Sequence, residues 1–209
     1  MIGRVITTTA CIDEGLDWLQ RVDPRLADTL SDLPSIPVRR YPDGFEELFK
    51  IMLGQQVSVA SAKALWSKLE EERMTSGVQV SDASEGDLRD LGLSKQKARY
   101  AKALAQANLD FDALRDLPTD VVVSQLTAVT GIGPWTAQIY AMFCLGRADA
   151  FASGDLALQE AARVIFKLES RPSAKELEAM SMRWSPWRAV AARVLWVYYA
   201  DYKGWEGGI

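Results

Sequence analysis

Apolar residues recur with the period of an α-helix along most of this chain. Three sets follow the spacing i, i+3, i+4, i+7 or extend it: Phe45, Leu48, Phe49 and Met52; Ala62, Leu65, Trp66 and Leu69; Trp187, Val190, Ala191, Val194, Leu195 and Tyr198. Short β-branched runs occur at 4–9 and 121–123, and the second fits a helix better. The pattern therefore predicts an all-α fold.

Residues that favour helix starts occur where the apolar period predicts helices. Ser94 is predicted to cap a helix that runs to about Asn108, and the segment 118–120 opens another helix. Pro186 is predicted to begin the last helix. The stretch 75–86, rich in Ser, Gly and acidic residues, is predicted to be a loop or a frayed connection.

One short turn between two amphipathic helices is unusually specific. Gly131 and Gly133 flank Ile132, and Pro134 stands where the next helix would begin. Glycine permits backbone angles that are closed to other residues, and proline suits a first helical position. The turn predicts a helix–hairpin–helix whose amide N–H groups hold a phosphate without reading base sequence. An ordinary turn between helices is the alternative, because Gly-x-Gly alone is common.

Composition restricts the chemistry that the chain can perform. Its 209 residues, 48% hydrophobic and 25% charged, are those of an ordinary globular protein. It has no histidine and two distant cysteines, Cys11 and Cys144, which excludes histidine-based triads, cysteine–histidine zinc sites and four-cysteine clusters. Without a membrane-length apolar run or a signal sequence, we expect a non-secreted, cytoplasmic, nucleoid-associated protein with no membrane partner.

The charge distribution leaves the role of the basic residues open. A net charge of -4 argues against a nonspecific nucleic-acid coat, although local cationic faces remain compatible with it. Basic residues cluster in two places: Lys95, Lys97, Arg99 and Lys102; Arg183, Arg188 and Arg193. Solvated helix faces and DNA contacts explain these clusters equally well.

Asp155 and a pair of tryptophans are the other candidates for a functional site. Asp155 follows Trp135 by twenty positions and precedes a helical pattern. Taken alone, it fits a helix cap better than a catalytic carboxylate. Trp184 and Trp187 flank a helix start and would wall a flat pocket, where an indole favours a cationic ring by about 0.5–2 kcal/mol. Core packing explains most tryptophans without any ligand.

Taken together, these motifs resemble the helix–hairpin–helix (HhH-GPD) superfamily of DNA base-excision glycosylases, specifically the 3-methyladenine DNA glycosylase II branch. The resemblance covers the chain from about Phe45 to Tyr199 through five ordered motifs: 52–58, 91–98, 131–137, 154–155 and 184–188. It implies one domain over 1–209 with no separate N-terminal domain. It also implies two helical lobes, approximately 1–42 plus 156–209 and 43–155, with the hairpin at the cleft.

The resemblance also assigns roles to individual residues. It implies that Asp155 is catalytic and that Trp135, Trp184 and Trp187 line the pocket for the base. The expected DNA contacts are Gln55, Gln56, Thr130, Gly131, Ile132, Gly133 and Thr136, with Gln56 filling the gap left by the extruded base. The carbonyls of Thr127, Val129 and Gly131 are expected to bind a monovalent cation, Na⁺ or K⁺, and no other cofactor is expected.

The implied reaction is removal of alkylated, cationic bases such as 3-methyladenine from duplex DNA by a monomer, through base flipping and hydrolysis of the N-glycosidic bond. Trp135 stands where bifunctional relatives carry a nucleophilic lysine, so a monofunctional enzyme without AP lyase activity is expected. Two alternatives stay open. One is a noncatalytic DNA-binding module in which Asp155 is only a cap, and the other is the same fold acting on deaminated or mismatched bases.

Overall fold

Helices form nearly all of the regular structure in the computed structural model, which describes residues 2–31 and 33–204. The helices in chain order are α1 Thr9–Val22, α2 Pro24–Leu30, α3 Phe45–Leu53, α4 Val59–Glu71, α5 Gly77–Asp82, α6 Glu85–Asp90, α7 Lys95–Gln106, α8 Phe111–Leu114, α9 Thr119–Thr127, α10 Pro134–Phe143, α11 Leu156–Ile165, α12 Ala174–Ser181 and α13 Arg188–Tyr202. A 3₁₀ turn, Met182–Trp184, precedes α13. Within the described residues, β pairing is limited to an isolated bridge between Val5 and Arg147, and no helix is both long and apolar enough to cross a membrane. The all-α prediction is confirmed.

The chain divides into two compact units, Met1–Arg40 with Ala141–Ile209 and Tyr41–Tyr140. The boundary near residue 41 lies close to the predicted one, whereas the second boundary lies before residue 141 rather than after residue 155. Hydrogen bonds to the N-terminal segment explain the difference. The Ile6 amide donates to the Gly146 carbonyl at 2.7 Å, and the Ala148 amide donates to the Arg4 carbonyl at 3.0 Å. These bonds tie the chain after α10 to the first unit.

Helix α13 forms the centre of the first unit. Its residues 189–196 are all buried, and it packs against α1 and α11. Gly15 of α1 lies directly against Val190, where an added Cβ would collide with the valine side chain. Glycine at position 15 therefore allows the two helices to approach closely, and the packing holds α13 in place.

The second unit is built around α3 and α7, with α4, α5 and α6 packed on them. The predicted apolar stripe of α3 is confirmed, since Leu48, Phe49 and Met52 are all fully buried. The predicted loop at 75–86 is wrong, because this stretch contains α5 and the start of α6. Both helices are short, and each begins with a capping box and buries few apolar residues, so their sequences lack the stripe of a longer helix.

The predicted caps on longer helices are confirmed. The Ser94 hydroxyl accepts from the Lys97 amide at 3.2 Å, and α7 ends at Gln106, two residues before the predicted end. Helix α13 begins at Arg188, two residues after Pro186. These agreements follow from chemistry within one helical turn, which sequence shows directly.

Candidate active site

Asp155 is the N-cap of α11. Its Oδ1 atom accepts hydrogen bonds from the amides of Ala157 at 2.9 Å and Leu158 at 3.1 Å. The side chain is half-buried, and the positive end of the α11 dipole stabilises negative charge at this position. The cap role is therefore confirmed, and it places a fixed carboxylate at the start of a helix.

Trp196 is a third donor to the same carboxylate, and sequence reasoning missed it. The indole Nε1 of Trp196 donates to Asp155 Oδ1 at 3.2 Å across 41 positions of the chain. The ring is 3% exposed and lies 5.5 Å from that of Phe143. Trp196 does not lie on the apolar stripe predicted for α13. A large apolar residue off the stripe is the signal in the sequence that could have indicated its role.

A cavity of about 330 Å³ lies beside Trp196. Prolines and aromatic rings form much of its wall, with charged groups among them: Pro34, Pro37, Arg39, Phe143, Arg193, Trp196 and Asp201. Its volume is at the lower end of the range for ligand pockets, which suits one planar base. The first unit thus holds a fixed carboxylate, and Trp196, one of the donors to that carboxylate, lines the cavity.

Trp184 and Trp187, predicted to wall the base pocket, belong instead to the core of the first unit. Trp184 has no exposed surface, and its indole donates to Asp23 Oδ2 at 3.1 Å. The ring of Trp187 is 3% exposed and lies 5.2 Å from the guanidinium carbon of Arg4. Neither ring lies on the wall of the cavity beside Trp196, which distinguishes these two tryptophans from Trp196. The third predicted wall residue, Trp135, is half-buried and lies in the second unit.

The predicted helix–hairpin–helix is present in the second unit, where residues 128–133 join α9 to α10. Gly131 has a φ of 96°, and an added Cβ would collide with the ring of Tyr100. Both facts require glycine at position 131. At Gly133, in contrast, an added Cβ meets nothing within 4 Å. The two glycines therefore differ. Gly131 is needed for the backbone conformation of the turn, whereas Gly133 leaves the space beside the turn unfilled.

The set of hairpin atoms able to face a phosphate is narrower than predicted. Thr130 is exposed, and Gly131 and Gly133 are half-buried. Ile132 is 4% exposed, and its amide donates to the Val129 carbonyl at 3.0 Å. Thr136 is 1% exposed. Ile132 and the Thr136 side chain therefore anchor the hairpin inward, and a phosphate would meet Thr130, Gly131 and Gly133.

The Gln55 side chain bonds to residues of the hairpin, although a DNA contact was predicted for it. Its Nε2 donates to the Gly131 carbonyl at 3.1 Å and to the Thr136 hydroxyl at 2.7 Å. The next residue, Gln56, is exposed and has a φ of 57°. Gln55 thus ties the loop after α3 to the hairpin, and Gln56 is the residue that this loop presents outward.

A family model described as the HhH-GPD superfamily base excision DNA repair protein matches residues 49–186. The chain belongs to the HhH-GPD superfamily. Two curated relatives are similar to it. The putative DNA-3-methyladenine glycosylase YfjP of Bacillus subtilis is 36% identical over 53% of this chain. The probable bifunctional transcriptional activator/DNA repair enzyme AlkA of Mycobacterium tuberculosis is 31% identical over 83% of this chain. The chain spans 40% and 37% of the lengths of these two relatives.

Solved structures agree with this membership. A DNA-3-methyladenine glycosidase from Bacillus halodurans superposes with a TM-score of 0.80 at 27% identity, over 91% of both chains. The 3-methyladenine DNA glycosylase Mag1 of Schizosaccharomyces pombe, solved with abasic DNA, has a TM-score of 0.76 at 21% identity. It covers 91% of this chain and 97% of its own, and at this identity the likeness concerns the fold.

Loss of the Gln55 side chain is expected to loosen the hairpin of this HhH-GPD protein. We expect Gln55→Ala to lower the free energy of unfolding by about 1–3 kcal/mol, because the Thr136 hydroxyl and the Gly131 carbonyl lose a donor. Urea denaturation would measure it. Gln56→Ala is the matched control, and its exposed side chain should change stability by less than about 0.5 kcal/mol. Equal stability of the two variants would contradict the role of Gln55.

Two of the carbonyls predicted to bind a monovalent cation already accept a hydrogen bond. The Val129 carbonyl accepts from the Ile132 amide, and the Gly131 carbonyl accepts from Gln55 Nε2. Each carbonyl oxygen has a second lone pair that a cation could share. The monovalent cation stays a prediction for Thr127, Val129 and Gly131, and no step of the reaction is derived through it.

The two basic clusters of this HhH-GPD chain are largely engaged in holding the fold. Lys97 donates to the Leu53 carbonyl, and burial lowers the pKa of Lys97. Lys102 donates to the carbonyls at 81 and 83. The arginines of the second cluster bind internal partners: Arg183 with Met180 and Asp23, Arg188 with Asp149 and Glu178, Arg193 with Val38 and Ala189. Lys95 and Arg99 remain as exposed cations of the first cluster.

Proposed function

We propose that the protein hydrolyses the N-glycosidic bond of alkylated bases in duplex DNA and leaves an abasic site. The observation that carries this proposal is Asp155, a half-buried carboxylate whose Oδ1 is held by three N–H groups. One of these groups belongs to Trp196, which lines the cavity. The names of the relatives support the substrate class, since YfjP and the Bacillus halodurans protein are called 3-methyladenine glycosylase or glycosidase.

The reaction requires that the damaged nucleotide leave the base stack. Rotation out of the duplex costs a few kcal/mol, and least for a damaged or poorly paired base. We expect the extruded base to stack on Trp196 in the cavity of the first unit. Alkylation of a ring nitrogen makes the base cationic, so it departs as a neutral molecule with the electron pair of the broken bond. Little protonation is then needed, which suits a chain without histidine.

Asp155 acts on the sugar. Departure of the base leaves an oxocarbenium-like centre at C1′, and a nearby carboxylate stabilises this positive charge. Three donors on one oxygen fix the plane of the carboxylate, so little reorganisation is needed when the charge develops. Water then bonds to C1′ and gives up a proton, which Asp155 accepts and releases to solvent.

The product is expected to be an intact abasic strand. The family resemblance implies that Trp135 stands where bifunctional enzymes carry the hairpin lysine. Arg115 is the only basic residue from 111 to 140. A Schiff base needs an amine, so strand cleavage without added alkali should be absent. Because Asp155, Trp196 and the cavity lie in one chain, we expect a monomer to suffice. Since the proposed substrate is duplex DNA, we expect the protein to act on chromosomal DNA at the nucleoid.

Hairpin contacts to the DNA backbone would supply binding that is independent of sequence. Main-chain N–H groups at a helix start favour a phosphate, and such contacts position a protein without reading bases. Thr130, Gly131 and Gly133 are the residues placed for this contact. We therefore expect similar affinity for duplexes that differ only in sequence.

The decisive experiment is single-turnover release of methylated base from alkylated duplex DNA. We expect release from methylated but not from unmethylated duplex, and strands that break only after alkaline treatment. If nothing is released while binding to an abasic-site duplex is retained, the protein is a noncatalytic DNA-binding module. The cap bonds of Asp155 are the observation that would then explain its presence.

Trp196→Phe tests the bond to the carboxylate separately from ring stacking. This change keeps an aromatic ring and removes the N–H donor to Asp155. A hydrogen bond to a charged group contributes about 1.5–3 kcal/mol, so we expect the single-turnover rate to fall by roughly tenfold or more with DNA affinity retained. Trp66→Phe is the matched control, because the Trp66 Nε1 is buried without a hydrogen-bond partner. Equal rates in the two variants would contradict the role of Trp196.

A further inference from the structure

Gln159 is a polar residue on the buried face of α11, and its side chain is only 6% exposed. The other residues that this helix buries are apolar: Leu158, Ala161 and Ala162. The Nε2 atom of Gln159 donates to the Ser153 carbonyl at 2.9 Å. In the described part of the chain, its Oε1 atom accepts no hydrogen bond. The helix therefore buries an amide that forms a single hydrogen bond.

Stability does not explain a glutamine at this position. Transfer of an amide out of water without full pairing costs free energy, and an apolar side chain of the same length would avoid that cost. Ser153 is half-buried, so water could meet its carbonyl if the glutamine were absent. Departures from such local rules concentrate at functional sites, where the lost stability is offset elsewhere. The single bond of Gln159 therefore points to a role in the reaction.

The Gln159 bond crosses the first turn of α11, where Asp155 is the N-cap. Side chains of a helix point back toward its N-terminus, so an amide one turn after the cap reaches residues that precede the cap. Gln159 follows Asp155 by four positions, and Ser153 precedes it by two. The bond therefore joins the chain that enters the helix to the second turn of the same helix.

The short link 153–154 depends on this bond. Residues 150–152, which precede the link, are buried in the core, and the buried face of α11 anchors the helix after it. Gly154 is exposed, and an added Cβ would meet nothing within 4 Å. Glycine has more backbone freedom than any other residue. In the described part of the chain, the bond from Gln159 is the only hydrogen bond of Ser153.

The position of the Asp155 carboxylate depends in turn on the link. The three donors to Oδ1 act on the carboxylate itself, whereas Gln159 acts on the main chain that carries it. The Asp155 amide also donates to the Ala152 carbonyl at 2.9 Å, and the link lies between these two residues. A displacement of about 1 Å in a catalytic group lowers a rate by as much as about a hundredfold. A restraint on the link therefore matters to the reaction.

Resting on the proposed function, we infer that Gln159 is a positioning residue, which places the Asp155 carboxylate for the reaction by holding the Ser153 carbonyl. Its amide donates a hydrogen bond and takes no part in bond breaking. Loss of this donor frees the link 153–154, so the distance from the carboxylate to C1′ of the extruded nucleotide is no longer fixed. Binding of DNA uses other groups, and the effect is confined to the chemical step.

Gln159→Met tests this inference, because methionine has the length of glutamine and lacks the amide. Single-turnover release of methylated base at saturating enzyme, affinity for an abasic-site duplex and Tm are measured on the same preparations. We expect the rate to fall by about tenfold with the affinity unchanged. The Tm should stay within about 2 °C of the wild type or rise. Gln20→Met is the matched control, since Gln20 is an exposed glutamine on α1 of the same unit, and it should change none of the three.

A double-mutant cycle with Asp155→Asn determines whether Gln159 acts through the carboxylate. The effects of groups that act as a unit do not add. Gln159→Met should therefore slow the wild type by about tenfold and slow the Asp155→Asn variant much less. Equal slowing in both backgrounds would overturn the inference, because Gln159 would then act independently of the charge on Asp155.

The remaining outcomes separate this inference from the proposed function. If the wild type releases no methylated base, the proposed function fails and this inference fails with it. If the wild type releases the base and Gln159→Met releases it equally fast, the proposed function stands and the inference is overturned. A joint fall in Tm, DNA affinity and rate would also overturn it, because a merely structural role weakens all three together.

Discussion

Asp155→Asn is expected to slow release of methylated base by about a hundredfold or more while binding to abasic-site DNA is retained. The amide oxygen of asparagine can accept the same hydrogen bonds from Ala157, Leu158 and Trp196 that Oδ1 accepts. Asparagine is also as favourable at a helix N-cap as aspartate. The substitution therefore removes the negative charge and leaves the cap of α11 in place.

Single-turnover rates and binding to an abasic-site duplex, measured on the same preparations, would check this expectation. Asp155→Ala is the companion variant, since it removes both charge and cap and should also lower stability by about 1 kcal/mol. Asp110→Asn is the matched control, because Asp110 caps α8 through the Ala113 amide at 2.9 Å and is exposed. Full activity in Asp155→Asn would reduce Asp155 to a cap and would mean that another group stabilises the reacting sugar.

Gly131→Ala is expected to destabilise the second unit and to abolish most DNA binding. At a φ of 96° an alanine is strained, and its Cβ would collide with the ring of Tyr100. Strain of this kind costs about 1–3 kcal/mol, and displacement of a packed ring adds to it. A displaced turn would also move Thr130, Gly131 and Gly133, the residues proposed to face a phosphate.

Gly133→Ala provides the comparison, because the Cβ at position 133 enters open space. Urea denaturation should show a loss for Gly131→Ala and little change for Gly133→Ala. Gly133→Val should weaken binding to duplexes of every sequence alike, because the bulk lies where a phosphate would approach. Loss of binding to some sequences but not others would contradict a backbone contact at the hairpin.

Features that depend on a few neighbouring residues were predicted well from sequence. The cap at Ser94, the turn at Gly131 and the cap role of Asp155 all follow from hydrogen bonds or backbone angles within one helical turn. The loop predicted at 75–86 is the exception. Two short polar helices occupy it, and a helix of six residues buries too little apolar surface to show a period.

Side chains that act across long separations were not predicted. Gln55 was expected at DNA, yet it donates to atoms 76 and 81 positions away. Trp184 was expected at the base and is buried in the core. A polar residue after a helix can face solvent, DNA or another loop, and a tryptophan suits a core as well as a pocket. Composition and spacing do not distinguish these environments.

By itself, the sequence determined the helical class, most helix starts, the hairpin and the superfamily, because periodicity, caps and glycine turns are local. The tertiary structure alone decided which groups meet. Packing of α13 brings Trp196 to Asp155 across 41 positions, and the buried Arg193 donates to the Val38 carbonyl. A helical period shows which face of a helix is buried but not what it is buried against. The partners of a carboxylate or a guanidinium therefore depend on how the helices pack.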